Sequence, residues 1–172
     1  MVKAIELLFQ VAAALKAKPA EIREKAQQQM DEMKELRHQI EEFKAKEALG
    51  EAQNFLMGAK SICGLKVITA TLPDADADRL RKMGDYLRDK DFAVVAVLST
   101  VKDGKITFLA ACGKDAVGKG IKAGDIIKSV TAICGGKGGG KPDSAMGGGT
   151  DVLKLDDALA SVDDFVHSKL GE

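Results

Sequence analysis

The first third of the chain carries apolar residues at helical spacing. A broad apolar stripe over residues 1–18 predicts one helix, which ends before Pro19 because the residue preceding a proline avoids the helical conformation. A second and much longer helix is predicted over residues 20–55, a stretch rich in Glu, Lys, Gln and Ala. One narrow row of apolar positions follows this helix, and we name it the arm seam: Ile22, Ala26, Met30, Met33, Leu36, Ile40 and Phe43.

The arm seam needs a partner, because a single helix cannot bury its own apolar row. The first helix could fold back on it as an antiparallel hairpin, but it is too short to cover the whole row. A second copy of the chain or further domains would cover the rest, and we expect a homodimer. The seam itself could pair with a helix of the same chain or with the arm of a second chain. The candidate dimerisation residues are Ile22, Met30, Met33, Leu36, Ile40 and Phe43. A solvated spacer would explain the charges of this helix but not its seam.

From about Ser61 onward the pattern changes to short apolar runs that alternate with helical stretches. Strands are predicted at 65–70, 92–98 and 106–111, with a hairpin turn at Asp103-Gly104. Helices are predicted at 74–89, with Asp74 as N-cap, at 123–134 and at 153–170. We therefore expect an α/β (α+β) protein, with a helical arm over residues 1–58. A small globular domain with a mixed sheet and flanking helices should follow over 59–172.

Residues 135–149, which we call the glycine run, contain eight of the chain's 18 glycines. Such density predicts either repeated positive φ or the very close approach of another backbone or a ligand. A nucleotide-hydrolysing P-loop is disfavoured, because Pro142 stands where the magnesium-binding Ser or Thr belongs and because a helix precedes the run. What remains is a candidate anion cradle of backbone N–H groups with Lys137 and Lys141, or a structural site of close packing.

Charge is balanced overall, with 26 basic and 26 acidic residues, but it is unevenly placed. Residues 102–141 hold eight Lys against three Asp, whereas residues 142–172 hold seven acids against two bases. The basic stretch suits a phosphate backbone, although ordinary surface lysines fit it equally well. No apolar run reaches the roughly 18 residues of a membrane span and no leader opens the chain, so a soluble, cytoplasmic protein is expected.

The glycine run, Gly-Gly-Lys-Gly-Gly-Gly-Lys-Pro-Asp-Ser-Ala-Met-Gly-Gly-Gly, closely resembles the signature of the DHH-associated C-terminal domain of alanyl-tRNA synthetases. The order of arm, strands, glycine run and closing helix is also similar. The resemblance implies a tRNA-binding and assembly region that links aminoacylation with editing. Its partners would be tRNA and the aminoacylation and editing domains of an ATP-dependent alanine–tRNA ligase. The family's ATP, magnesium and zinc would belong to those domains, and no cofactor is expected for this chain.

Phosphoesterases that carry the same type of domain are the rival family. They place a histidine in the glycine run and use a separate Asp-His-His metal domain, whereas this chain has only His38 and His167, both in helical stretches. Neither a metal site nor a catalytic residue is predicted. The candidate RNA-binding residues are Lys137, Gly138, Gly139, Gly140, Lys141, Gly147 and Gly148, with Lys114, Lys119 and Lys122 as a further basic group.

Overall fold

The computed structural model describes residues 1–171, which fall into two compact units, Met1–Leu49 and one that begins at Gly50. The first unit contains helix α1 (Val2–Ala14), a 3-10 turn (Pro19–Glu21) and most of helix α2 (Ile22–Met57). Pro19 occupies the first turn after α1, as predicted. Helix α2 continues past Gly50 into the second unit, where Ala52 is fully buried. The compact globular unit therefore begins within helix α2, at Gly50.

Most of the arm seam is exposed to solvent within the first unit, whereas Ile22 and Ala26 at its start are half-buried. Its large side chains from Met30 to Phe43 are between 51% and 73% exposed. Helix α1 does not cover them, since its own large apolar side chains are also exposed and only Ala12 of this helix is buried. A hairpin that shields the seam within one chain is thus not formed.

The second unit is built on one six-stranded sheet. Its strands are β1 (Lys60–Ile62), β2 (Leu65–Thr71), β3 (Val94–Lys102), β4 (Lys105–Cys112), β5 (Lys137–Gly140) and β6 (Ser144–Gly149). They lie in the order β1-β2-β3-β4-β6-β5, and only the β2–β3 pair is parallel. A parallel pair needs a crossover connection, which helix α3 (Ala77–Lys90) provides. The mixed sheet with flanking helices confirms the predicted fold class.

The remaining helices are α4 (Lys114–Gly118), α5 (Ala123–Ile133) and α6 (Leu155–Leu170), with a 3-10 turn at Val152–Lys154. Helices α5 and α6 share one apolar cluster with alternate residues of β2, β3 and β4, among them Val67, Val97 and Phe108. Helix α3 packs on the opposite face, where Gly84 lies against Leu109. The sheet is therefore covered on both faces, which explains why residues 94–100 of β3 are all buried.

One local prediction was wrong, and three short strands were not predicted. Helix α3 is capped by Asp76, whose carboxylate accepts from the N–H of Arg79 at 2.7 Å, and Asp74 instead adopts a positive φ of 54° in the preceding turn. Strand β1 was missed because three residues are too few to show a period. The glycine run was predicted to be an anion cradle or a site of close packing, and its two strands, β5 and β6, were also missed.

Candidate nucleic-acid interface

The glycine run folds into an antiparallel hairpin at one edge of the sheet. Strand β6 pairs with β4, and β5 pairs only with β6, so β5 is the edge strand. The hairpin turn is closed by the N–H of Lys141, which donates to the carbonyl oxygen of Ser144 at 2.9 Å. Strands in which glycine predominates are unusual, because glycine has neither a side chain to pack nor a conformational preference for extended backbone. The neighbouring backbone supplies the reason for these glycines.

Most glycines of the hairpin lie where a side chain would collide with its surroundings. A Cβ added at Gly136 would lie 1.8 Å from the carbonyl oxygen of Gly148. At Gly138 and Gly147 it would lie 2.5 Å and 2.7 Å from side-chain carbons of α5. At Gly149 it would lie 2.7 Å from the Cβ of Cys134. The hairpin and α5 are therefore in backbone-to-helix contact, and of the glycines in the run only Gly135 has a positive φ. Of the two predicted explanations, close approach is observed.

Several N–H groups of the predicted anion cradle already have partners within the protein. The N–H of Gly136 donates to the carbonyl oxygen of Thr131 at 2.7 Å. Other N–H groups of the run donate within the β5–β6 pairing and across the hairpin turn. The first turn of α5 is also occupied: the N–H of Ala123 donates to the carbonyl oxygen of Pro142 at 2.8 Å, and the Gly140 carbonyl lies against Gly124. A phosphate could not replace these carbonyl groups without opening the hairpin.

Two arginines of α3 hold the hairpin from the other face of the sheet. Arg88 donates to the carboxylate of Asp143 in the hairpin turn at 2.8 Å, and it also pairs with Asp85. Arg81 donates to the thioether sulfur of Met146 at 3.0 Å. The hairpin is therefore fixed by α5 on one face and by long side chains of α3 on the other.

The two predicted lysines of the hairpin are exposed and bracket its edge strand. Lys137 begins β5 and Lys141 follows it, and neither forms an ion pair with another described residue. A third lysine, Lys128 of α5, was missed by the sequence reasoning: its Cε lies 4.0 Å from where a Cβ of Gly139 would be. Its exposed position in an amphipathic helix was visible in the sequence, but its proximity to the hairpin was not.

The other predicted basic residues are placed differently. Lys119 donates to the carbonyl oxygen of Cys63 at 3.1 Å, in the β1–β2 turn, and the ammonium group of Lys114 lies 5.6 Å from the centre of the Phe92 ring. Lys122 immediately precedes α5 and is exposed. The structure thus gives Lys114 and Lys119 partners away from the hairpin.

Within residues 1–171, no group of His, Cys, Asp and Glu side chains has an arrangement that could hold a metal ion. His38 faces Glu42 on the exposed surface of α2, and His167 is exposed near the end of α6. Burial raises the pKa of the Cys112 thiol to about 12, so this cysteine is a packed apolar group at neutral pH. No helix in the described part of the chain is long and apolar enough to span a bilayer.

Comparison with known proteins identifies the family. The DHHA1 domain model matches residues 64–168. An alanine–tRNA ligase of Thiobacillus denitrificans is 47% identical over 161 residues, which is 94% of this chain and 18% of the relative. That of Cupriavidus necator is 40% identical over 163 residues, 95% of this chain and 18% of the relative. The chain thus spans about a fifth of the length of the relatives it matches.

Among solved structures, the C-Ala domain of the Aquifex aeolicus alanyl-tRNA synthetase has the same fold. Its TM-score is 0.60 at 24% identity, over 64% of this chain and 98% of that one. The family match lies entirely within the second unit, which contains the six-stranded sheet and the hairpin formed by the glycine run. The chain therefore belongs to the DHHA1 domain family.

Proposed function

We propose that this chain is a non-catalytic tRNA-binding region of an alanine–tRNA ligase, and that it acts in the cytoplasm. It would hold tRNA with the edge of the glycine hairpin and link the domains for aminoacylation and editing. The observation that supports this most is the match to alanine–tRNA ligases over 94–95% of the chain. ATP, magnesium and zinc would be used by other parts of such an enzyme.

The geometry of the hairpin supports contact with a nucleic-acid backbone. Glycine keeps the edge strand flat, so a ligand can approach its backbone closely. Lys137 and Lys141 project from it without ion-pair partners among the described residues. Structured RNA is recognised largely by shape and by phosphate and 2′-hydroxyl contacts. Stacking of single bases contributes little here, since the chain has no Trp and one Tyr.

A salt titration of tRNA binding tests the proposal. The double variant Lys137→Ala with Lys141→Ala should bind tRNA more weakly, and its plot of log affinity against log salt should be flatter by roughly one to two units. Its melting temperature should stay unchanged, because exposed lysines contribute little to folding. The matched control is Lys102→Ala with Lys105→Ala, two exposed lysines at the end of the β3–β4 hairpin. Absence of tRNA binding by the unaltered chain would refute the proposal.

A second candidate function is assembly of two chains through the arm, which the exposure of the arm seam favours. Replacing both Met33 and Ile40 with Glu should halve the mass measured by light scattering, since two charges per chain would be buried in the interface. Helicity measured by circular dichroism controls for unfolding of the arm. A monomeric mass of the unaltered chain would argue against this second function and leave tRNA binding untouched.

A further inference from the structure

The outer side of β5 presents backbone groups that the sheet does not use. In an antiparallel pair, residues alternate between those bonded to the neighbouring strand and those whose N–H and C=O point away from it. The bond from Lys141 to Ser144 and the register Gly139↔Met146 assign residues 137, 139 and 141 to the first group. The N–H groups of Gly138 and Gly140 therefore face away from β6.

Three ammonium groups surround this edge. Lys137 and Lys141 lie two positions before and after Gly139, and alternate residues of a strand share a face. The side chain of Lys128 reaches the same place from α5, since its Cε lies 4.0 Å from a Cβ added at Gly139. All three lysines are exposed, and none has an ion-pair partner among residues 1–171. Asp143, the acidic residue in the turn, is already held by Arg88. The edge of β5 therefore combines three positive charges, the outward N–H groups of Gly138 and Gly140, and open space at Gly139.

We infer that Lys128 is a third phosphate-binding residue of this surface, and that a phosphate group lies at Gly139 between Lys128, Lys137 and Lys141. The N–H groups of Gly138 and Gly140 donate to its oxygens, which makes these charge-assisted hydrogen bonds. Gly139 matters here because any side chain would occupy the position of the phosphate. The inference rests on the proposed function and assigns particular atoms to it.

An added peptide strand is the other ligand that could use a free sheet edge. The features of β5 disfavour it: the strand has four residues and is bracketed by lysines, and short edges with lysines discourage strand pairing. A phosphate backbone gains from the same charges. The ligand we commit to is therefore the phosphate backbone of tRNA.

Single substitutions in the full chain test the role of Lys128. Lys128→Ala should weaken tRNA binding roughly fivefold and flatten the salt slope by about one unit. Lys102→Ala, which removes an exposed lysine at the end of the β3–β4 hairpin, should change neither. If the unaltered chain binds tRNA and Lys128→Ala behaves like Lys102→Ala, the inference is wrong while the proposed function stands. If the unaltered chain does not bind tRNA, the proposed function itself fails.

Gly139→Asp tests the position of the phosphate, because it places a carboxylate among the three lysines without a backbone clash. We expect tRNA binding to fall more than tenfold with an unchanged melting temperature. Inorganic pyrophosphate provides an independent probe: in nitrogen-15 NMR spectra of the unaltered chain it should shift the amide signals of Gly138 and Gly140, and Gly139→Asp should abolish these shifts. Shifts confined to other amides, or equal tRNA binding by Gly139→Asp and the unaltered chain, would overturn the assignment.

Discussion

The β3–β4 and β5–β6 hairpins of the globular unit have the same topology but are built from contrasting residues. The β3–β4 hairpin packs by side chains, since every residue from Val94 to Thr100 and from Phe108 to Cys112 is buried. Its turn has the Asp-Gly sequence typical of tight hairpins. The β5–β6 hairpin packs by backbone, with glycine at most of its positions and α5 in direct contact with it. The register places Phe108 of one hairpin beside Gly147 of the other.

This difference shows how one sheet can combine a rigid core with an accessible edge. Large side chains in β3 and β4 fill the cluster beneath α5 and α6. Small residues in β5 and β6 then let α5 approach the sheet closely and leave the outer edge flat. A ligand can therefore reach the backbone of β5 at the edge, whereas the large side chains of β3 and β4 would keep a ligand away from the backbone at the centre of the sheet.

The largest effect should come from removing a side chain that the first hairpin depends on. Phe108 is fully buried in the main cluster, so Phe108→Ala leaves a cavity as well as losing its transfer free energy. We expect a loss of about 4 kcal/mol in the free energy of unfolding, measured by urea titration. A loss below about 1 kcal/mol would show that the hairpin does not depend on its side chains in this way.

The reverse change should break the second hairpin. Gly147→Val adds a branched side chain where a Cβ alone would lie 2.7 Å from Thr131 and 2.8 Å from Ile127. Overpacking of this kind should cost about 3 kcal/mol, and separation of α5 from the hairpin should accelerate hydrogen exchange at the β6 amides. Equal stability of Gly147→Val and the unaltered chain would mean that α5 does not rest on the hairpin backbone.

A smaller effect is expected at the turn of the β3–β4 hairpin, where glycine serves backbone conformation and not packing. Gly104 has a φ of 71° and nothing within 4 Å of an added Cβ. Gly104→Ala should therefore cost about 1 kcal/mol through backbone strain alone. Gly118→Ala is the control, since that position also has open space but lies in α4 with an ordinary φ; it should not lower the midpoint of thermal unfolding. Equal effects of the two changes would contradict the role of φ at Gly104.

The same contrast explains how much could be predicted from the sequence. The strands over 92–98 and 106–111 could be predicted because alternating or continuous apolar residues indicate burial. The turn between them could be predicted because Asp and Gly readily adopt the positive φ that a tight hairpin needs, as Asp103 and Gly104 do here. Glycine carries no alternation of polar and apolar side chains, so β5 and β6 were not predicted as strands. The contacts of Gly138 and Gly147 with α5 could not be predicted from the sequence either. The family resemblance rested on the identity of these glycines and was confirmed. Lys128 was missed because its position next to Gly139 depends on how α5 lies over the hairpin.

The glycines of one short strand have different tasks, close packing at Gly138 and access at Gly139. Urea unfolding of Gly138→Ala and of Gly139→Ala separates the two tasks, because the substitutions are chemically identical and adjacent. At Gly138 the new Cβ would lie 2.5 Å from both Gly147 Cα and an Ile127 methyl group, whereas at Gly139 the nearest atom is 4.0 Å away. We expect the free energy of unfolding to fall by about 2–3 kcal/mol for Gly138→Ala and to change by no more than about 0.5 kcal/mol for Gly139→Ala. Equal losses at the two positions would contradict this difference in tasks.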